Sequence, residues 1–141
     1  MNQDFNILRA LKLKKKKNWD FIYVAIDLHG TIIPEREANE ENFEMFPKAK
    51  KVLQELSKKE YIKLILFTAS TKEYIKKFLD KIKDEEIKFD YINENPEALE
   101  TTRESFCADS KLYYNVLLDD RAGFEPKDWE YLAELITSGK I

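Results

Sequence analysis

Several apolar segments of this sequence are followed directly by side chains that could hold a metal ion. Asp27 follows the first of these segments, Thr68 the second, Asn93 the third, and the pair Asp119-Asp120 the last. Carboxylates that meet at one place repel one another unless a cation is present, and oxygen ligands of this kind suit Mg²⁺. A single Asp at the end of a strand is equally explained as a turn former. The set as a whole favours a metal site.

The elements that must position these residues alternate along the chain. Segments typical of buried strands are 21–26, 62–67, 87–92 and 113–118, and helical periodicity covers about 4–16, 47–59, 70–82 and 126–136. Ser70 and Glu73 have the spacing of a capping box at the start of the third helix. Strands that alternate with helices indicate an α/β fold with a parallel sheet. In such a sheet a ligand site lies beyond the carboxyl ends of the strands, where the residues above would meet.

Four short motifs give the chain a resemblance to a known superfamily. The run from Ile26 to Thr31 resembles the first signature of the haloacid dehalogenase superfamily, an apolar strand followed by Asp-x-Asp-Gly-Thr. Thr68 resembles the second signature, Lys111 the third, and the run from Val116 to Asp120 the fourth. The resemblance implies a three-layer Rossmann-like fold with a central parallel sheet. It is strongest to small capless members grouped with bacterial capsule-biosynthesis phosphatases.

The resemblance also implies a reaction and roles for individual residues. The reaction would be Mg²⁺-dependent hydrolysis of phosphate monoesters, with Asp27 as the nucleophile that becomes an aspartyl-phosphate. Thr68 would hold a phosphoryl oxygen, and Lys111 would offset negative charge. The alternative explanation of Lys111 is a surface cation before a strand. Four positions would bind the metal directly or support it: Asp27, the backbone carbonyl of His29, Asp119 and Asp120.

His29 departs from the superfamily pattern. Relatives carry a second Asp at this position, which protonates the leaving oxygen and then activates water. Imidazole can do both near neutral pH. Three hypotheses follow: a phosphatase in which His29 is the acid/base, a phosphoryl transferase that uses the same aspartyl-phosphate, and a non-catalytic module that binds metal and phosphate.

Length and composition predict one domain over residues 1–141, with a basic amino-terminal helix at 1–17 and a catalytic core at 21–138. The lone Cys107, the absence of a leader segment and the absence of an apolar run of about 20 residues favour a soluble cytoplasmic protein without a membrane partner. Residues 93–109 contain turn formers and weak periodicity, and they are left unassigned.

Two features of the sequence limit which substrates the site could admit. Too few residues lie between Gly30 and Pro47 for a cap, so a minimal flap and an open site are expected. Such a site could admit a phosphorylated small molecule, a sugar precursor or a nucleic-acid end. Lys12 and the run Lys14 to Lys17 could contact a polyanion, or they could simply form a solvated helix face.

Overall fold

A four-stranded sheet forms the centre of the protein, whose computed structural model describes residues 7–35, 42–98 and 112–141. The strands are β1 (Ile22–Ile26), β2 (Ile62–Leu66), β3 (Tyr91–Ile92) and β4 (Val116–Leu118). Their order is β3-β2-β1-β4, and all three pairings are parallel. The predicted α/β fold with a central parallel sheet is therefore confirmed.

Within the described residues, four α-helices flank this sheet. They are α1 (Ile7–Lys17), α2 (Ala49–Lys58), α3 (Lys72–Ile82) and α4 (Asp128–Thr137). Helix α2 shows why they pack: Ala49, Val52, Leu53 and Leu56 repeat at helical spacing, and all four are fully buried. Among the described helices, none has the length and apolar character needed to cross a membrane.

The middle strands are covered on both faces at their carboxyl ends. Val24, Ala25 and Ile26 follow one another in β1 and all have an exposed fraction of 0%. Because consecutive strand residues point to opposite faces, three buried residues in a row mean that both faces are covered. This burial explains why the strands appear in the sequence as unbroken apolar runs.

Strand order reverses beside β1, and this reversal locates the site. The chain runs from β1 to β2 and then to β3 in one direction across the sheet, whereas β4 pairs with the other side of β1. Asp27 follows β1 and Asp119 follows β4, so both lie at the carboxyl end of the sheet where the order reverses. Ligand sites of open parallel sheets form at this point.

Two predicted strands are shorter than expected, for the same reason. The third was predicted over 87–92 and the fourth over 113–118, but they begin at Tyr91 and Val116. Just before β3, the Asp90 carboxylate accepts a hydrogen bond from the backbone N–H of Leu64 at 2.8 Å. Just before β4, the Asn115 side chain accepts from the backbone N–H of Tyr23 at 2.7 Å. In each case a side chain takes the place of a strand carbonyl and ends the ladder.

The start of α3 also differs from the prediction. Thr71, and not Ser70, caps the helix, because the Thr71 hydroxyl accepts from the backbone N–H of Tyr74 at 3.2 Å. In the unassigned stretch, Pro96–Ala98 form one 3-10 turn. Lys111 and residues 99–109 lie outside the described residues, so the structure gives no position for the lysine that was predicted to offset negative charge.

Candidate active site

Three carboxylates form a cluster at the carboxyl ends of β1 and β4. Each of Asp27, Asp119 and Asp120 has an oxygen within 4.8 Å of the others. The backbone N–H of Asp27 donates to the carbonyl of Leu118 at 2.9 Å, which joins the two strand ends. Asp119 caps a short 3-10 turn by accepting from the backbone N–H of Arg121 at 2.9 Å. The three acids that the sequence predicted to meet are thus placed together.

The electrostatics of this cluster favour a bound cation. Burial, followed by the negative charge of Asp119, raises the pKa of Asp27 from 3.8 to about 6. A raised carboxyl pKa means that the charged form is disfavoured in the folded protein. A divalent ion would reverse this penalty, and a set of half-buried carboxylate oxygens matches the preference of Mg²⁺ for hard oxygen ligands. The residues present therefore fit such an ion.

Thr31 connects Asp27, which follows β1, to Asp120, which lies in the loop after β4. Its side chain is fully buried, and its hydroxyl accepts a hydrogen bond from the backbone N–H of Asp120 at 3.0 Å. The same hydroxyl lies 3.5 Å from an Asp27 oxygen and 3.4 Å from an Asp120 oxygen, to which it can donate. The indole N–H of buried Trp129 donates to the Thr31 carbonyl at 2.7 Å. Thr31 lies within the first sequence motif, but no role was predicted for it.

Gly30 allows the loop after β1 to approach Asp120 closely. Its φ of +81° lies in the left-handed region, and a Cβ added there would stand 2.8 Å from an Asp120 carboxylate oxygen. Any side chain at this position would therefore meet a cluster residue in addition to straining the backbone.

This contact makes Gly30→Ala a sensitive test of the site, with Gly139→Ala as its control. Gly139 has a similar φ of +78°, but nothing lies within 4 Å of an added Cβ. We expect Gly139→Ala to lower the free energy of unfolding by about 1 kcal/mol through backbone strain alone. Gly30→Ala should cost about 2–4 kcal/mol, because overpacking adds to that strain. Denaturant unfolding measures both values, and equal losses would show that Asp120 moves aside without cost.

The His29 ring is held by two hydroxyl groups. Its Nε2 atom lies 3.1 Å from the Tyr74 hydroxyl, and its Nδ1 atom lies 3.4 Å from the Ser70 hydroxyl. The His29 and Tyr74 rings are also in contact, with centroids 5.0 Å apart. Burial lowers the pKa of His29, and the charge of Glu35 acts in the opposite direction. Neither hydroxyl residue was predicted from the sequence to be part of the site.

Thr68 is fixed by the neighbouring strand end. Its backbone N–H donates to the Asn93 side-chain oxygen at 2.8 Å, and the Asn93 amide donates back to the Thr68 carbonyl at 2.9 Å. The Thr68 hydroxyl accepts from the backbone N–H of Ser70 at 3.2 Å and also lies 3.0 Å from the Ser70 hydroxyl. Two of the polar residues predicted at strand ends are thus paired with each other.

An open cleft of about 500 Å³ borders these residues. It is lined by Asp27, His29, Glu35, Phe67, Thr68, Ala69, Ser70, Asn93, Asp119 and Arg121. Five of them were not predicted from the sequence: Glu35, Phe67, Ala69, Ser70 and Arg121. The exposed fraction of Phe67 is 38%. Among the described lining residues, Arg121 is the one with a permanent positive charge, and its guanidinium forms no ion pair with a described carboxylate. Its position directly after Asp119-Asp120 is the signal that could have identified it.

Comparison with known proteins adds a family and a structural neighbour. The family model for NLI interacting factor-like phosphatases matches residues 8–118, a range that contains Asp27, His29 and Thr68. A solved structure of a conserved protein coded by a locus from Bacteroides thetaiotaomicron is similar, with a TM-score of 0.63 and 27% sequence identity. The similarity covers 86% of this chain and 93% of that one. A search of curated proteins gives no match.

Proposed function

The chain belongs to the NLI interacting factor-like phosphatases, a family with the haloacid dehalogenase-like fold, and on this premise we propose that it hydrolyses phosphate monoesters through an aspartyl-phosphate on Asp27. The observation that supports the proposal most is the position of Asp27. It lies at the point where the strand order reverses, lines an open cleft, and has Asp119 and Asp120 within 4.8 Å.

The same carboxylates are proposed to bind Mg²⁺, together with the backbone carbonyl of His29. When bound, the ion supplies positive charge to the phosphoryl oxygens and to the acidic cluster. Thr31 keeps Asp27 and Asp120 at a fixed separation, because its buried hydroxyl contacts both. Gly30 leaves the space that Asp120 occupies.

The first chemical step is attack by Asp27. A carboxylate oxygen of Asp27 forms a bond to phosphorus while the bond from phosphorus to the leaving oxygen breaks. His29 gives a proton to that oxygen, so the product leaves as an alcohol. The Thr68 hydroxyl holds a phosphoryl oxygen, and Lys111 is proposed to offset its charge. Arg121 can add to that offset, since it lines the same cleft.

The second step returns the enzyme to its starting state. Water attacks phosphorus, and His29, now neutral, accepts the proton that the water loses. The bond between phosphorus and the Asp27 oxygen breaks, so inorganic phosphate leaves and the carboxylate is restored. One histidine thus serves as acid in the first step and as base in the second.

The test is phosphate release by the full chain from a panel of substrates in the presence of Mg²⁺. The panel contains alkyl, aryl and sugar phosphates, nucleotides and 5′-phosphorylated oligonucleotides, with Asp27→Asn as the blank. We expect Asp27-dependent release from at least one class. Tight binding of phosphate or metal without release from any class would instead indicate a binding module. A long-lived acyl phosphate that reacts slowly with water would indicate a phosphoryl transferase.

The lysines of α1 are proposed to contact only long polyanionic substrates. The basic end of α1 lies near the amino ends of β1 and β2, where the Lys14 ammonium group lies 5.7 Å from the Tyr61 ring centroid. The cleft lies at the opposite ends of these strands, about 16 Å away for five residues. A small phosphate ester in the cleft therefore cannot reach these lysines, whereas a nucleic acid can.

Replacing Lys15 and Lys16 with Gln separates these substrate classes. Both side chains are exposed. The kinetic constants for small phosphate esters should be unchanged, because the lysines lie near the amino ends of the strands and the cleft lies at their carboxyl ends. Binding of a single-stranded oligonucleotide should weaken, and its logarithmic salt dependence should fall by about 0.7 for each lysine that contacts a phosphate. Unchanged oligonucleotide binding with an unchanged salt dependence would remove the polyanion proposal.

A further inference from the structure

We propose that Tyr74 is a positioning residue for His29: its hydroxyl holds the Nε2 atom, so that the Nδ1 atom faces the cleft and carries the transferred proton. The inference rests on the proposed function, because it takes His29 as the acid/base. It also specifies which ring nitrogen transfers the proton and which residue determines that choice.

The two ring nitrogens have different surroundings. Nε2 lies 3.1 Å from the Tyr74 hydroxyl, whereas Nδ1 lies 3.4 Å from the hydroxyl of Ser70. Ser70 lines the cleft together with His29, and Tyr74 is not among the described lining residues. The Nδ1 edge of the ring is therefore the edge on the cleft side. Its contact with Ser70 is also the longer one, so an oxygen of a substrate or of water can replace it more easily.

Tyr74 is itself held rigidly from two directions. Its backbone N–H is bound by the Thr71 hydroxyl that caps α3. Its ring packs edge-on against Phe43, with centroids 5.2 Å apart. Phe43 in turn packs edge-on against Phe78, which is fully buried. A side chain anchored in this way can fix the orientation of a neighbouring ring, which a catalytic constellation requires.

The proposal also assigns the tautomer, with Nε2–H as the donor in the 3.1 Å contact with the Tyr74 hydroxyl, which can both donate and accept. A neutral histidine carries one N–H, and the partner of one nitrogen determines which nitrogen stays free to accept a proton. If Nε2–H donates to the Tyr74 hydroxyl, Nδ1 has the free electron pair that can accept a proton from water. In the charged ring Nε2–H keeps the same bond, and Nδ1–H is the donor to the leaving oxygen. The ring can then serve both chemical steps without turning.

Tyr74→Phe tests this arrangement because it removes the hydroxyl but keeps the ring that packs on Phe43. We expect kcat on alkyl phosphates to fall about 10-fold, a part of the 100-fold or more that general acid catalysis contributes. KM should stay within about twofold. Aryl phosphates with an acidic leaving group, such as 2,4-dinitrophenyl phosphate, should lose less than about twofold in kcat, because their leaving oxygen needs no proton.

Three controls separate the possible outcomes. Tyr61→Phe removes a hydroxyl at the amino end of β2, away from the cleft. It should leave the turnover of both substrate classes unchanged. His29→Ala should show the same leaving-group dependence with a larger loss, and adding Tyr74→Phe to it should cause no further loss. Equal losses of Tyr74→Phe on both substrate classes, or no loss at all, would overturn the positioning role. If His29→Ala showed no leaving-group dependence, the proposed role of His29 would fail instead.

A spectroscopic measurement tests the tautomer without turnover. The chain contains one histidine, so ¹⁵N-imidazole NMR spectra report on His29 alone. We expect the neutral ring to carry its proton on Nε2 in the wild type, and we expect a mixture of tautomers in Tyr74→Phe. A proton on Nδ1 in the wild type would overturn the inference, whatever the kinetics show.

Discussion

Replacing Asp27 with Asn should abolish phosphatase turnover and, in the metal-free protein, raise the melting temperature. Loss of a nucleophile typically lowers kcat by roughly 1,000-fold or more, and an amide cannot form the proposed aspartyl-phosphate. Stability should change in the opposite direction, because Asp27 stands beside two other carboxylates. A substitution that unfolds the protein would lower both quantities, so the combination identifies a loss of chemistry.

The stability gain should depend on pH in a predictable direction. Burial, and then the charge of Asp119, raise the pKa of Asp27 from 3.8 to about 6. Between these values the folded protein binds more protons than the unfolded chain, so the free energy of unfolding falls as the pH rises. Asn does not titrate. The gain of Asp27→Asn over the wild type should therefore be absent below pH 4, grow up to about pH 6, and stay constant above it.

Thermal unfolding in the presence of a chelator measures this gain at each pH. Asp20→Asn is the matched control, because Asp20 is exposed and lies at the other end of β1. It should leave both turnover and the pH dependence of melting unchanged. A lower melting temperature for Asp27→Asn at pH 7.5 would contradict the view that the three carboxylates repel one another in the metal-free protein.

The parts of this site that the sequence predicted are those that backbone topology determines. Parallel strands place their carboxyl ends at one edge, so Asp27, Asp119 and Asp120 could be expected to meet once the strands were identified. The same reasoning located Thr68 and Asn93, which the structure shows hydrogen-bonded to each other. For each of these residues the position in the chain was enough to predict its place in the site, because the residue follows the end of a strand.

The parts that were missed depend on side-chain distances between distant segments. Tyr74 lies 45 residues from His29, and in the sequence it appears only as an apolar position of a helix. Thr31 contacts Asp120 across 89 residues. The shortened strands have a similar origin, because Asp90 and Asn115 accept backbone hydrogen bonds that helix and strand patterns do not encode. Such pairings become visible only when the packed structure is known.

Removing divalent cations should lower turnover by a factor comparable to that of Asp27→Asn, and added Mg²⁺ should restore it. The reason is the separation of the carboxylates: three acids with oxygens within 4.8 Å leave negative charge where a phosphate must approach. A chelator-treated sample that keeps its full turnover would contradict the proposed metal site.

Binding of the ion should also be visible as a stability change that depends on pH. Protons compete with a cation for carboxylate oxygens, so Mg²⁺ should raise the melting temperature more at pH 8 than at pH 5. Asp119→Asn and Asp120→Asn each remove one negative charge from the cluster, and each should reduce the Mg²⁺-induced shift at pH 8. Asp20→Asn should keep the shift of the wild type. If all three variants kept it, Mg²⁺ would be bound elsewhere, and the carboxylate cluster would have no part in metal binding.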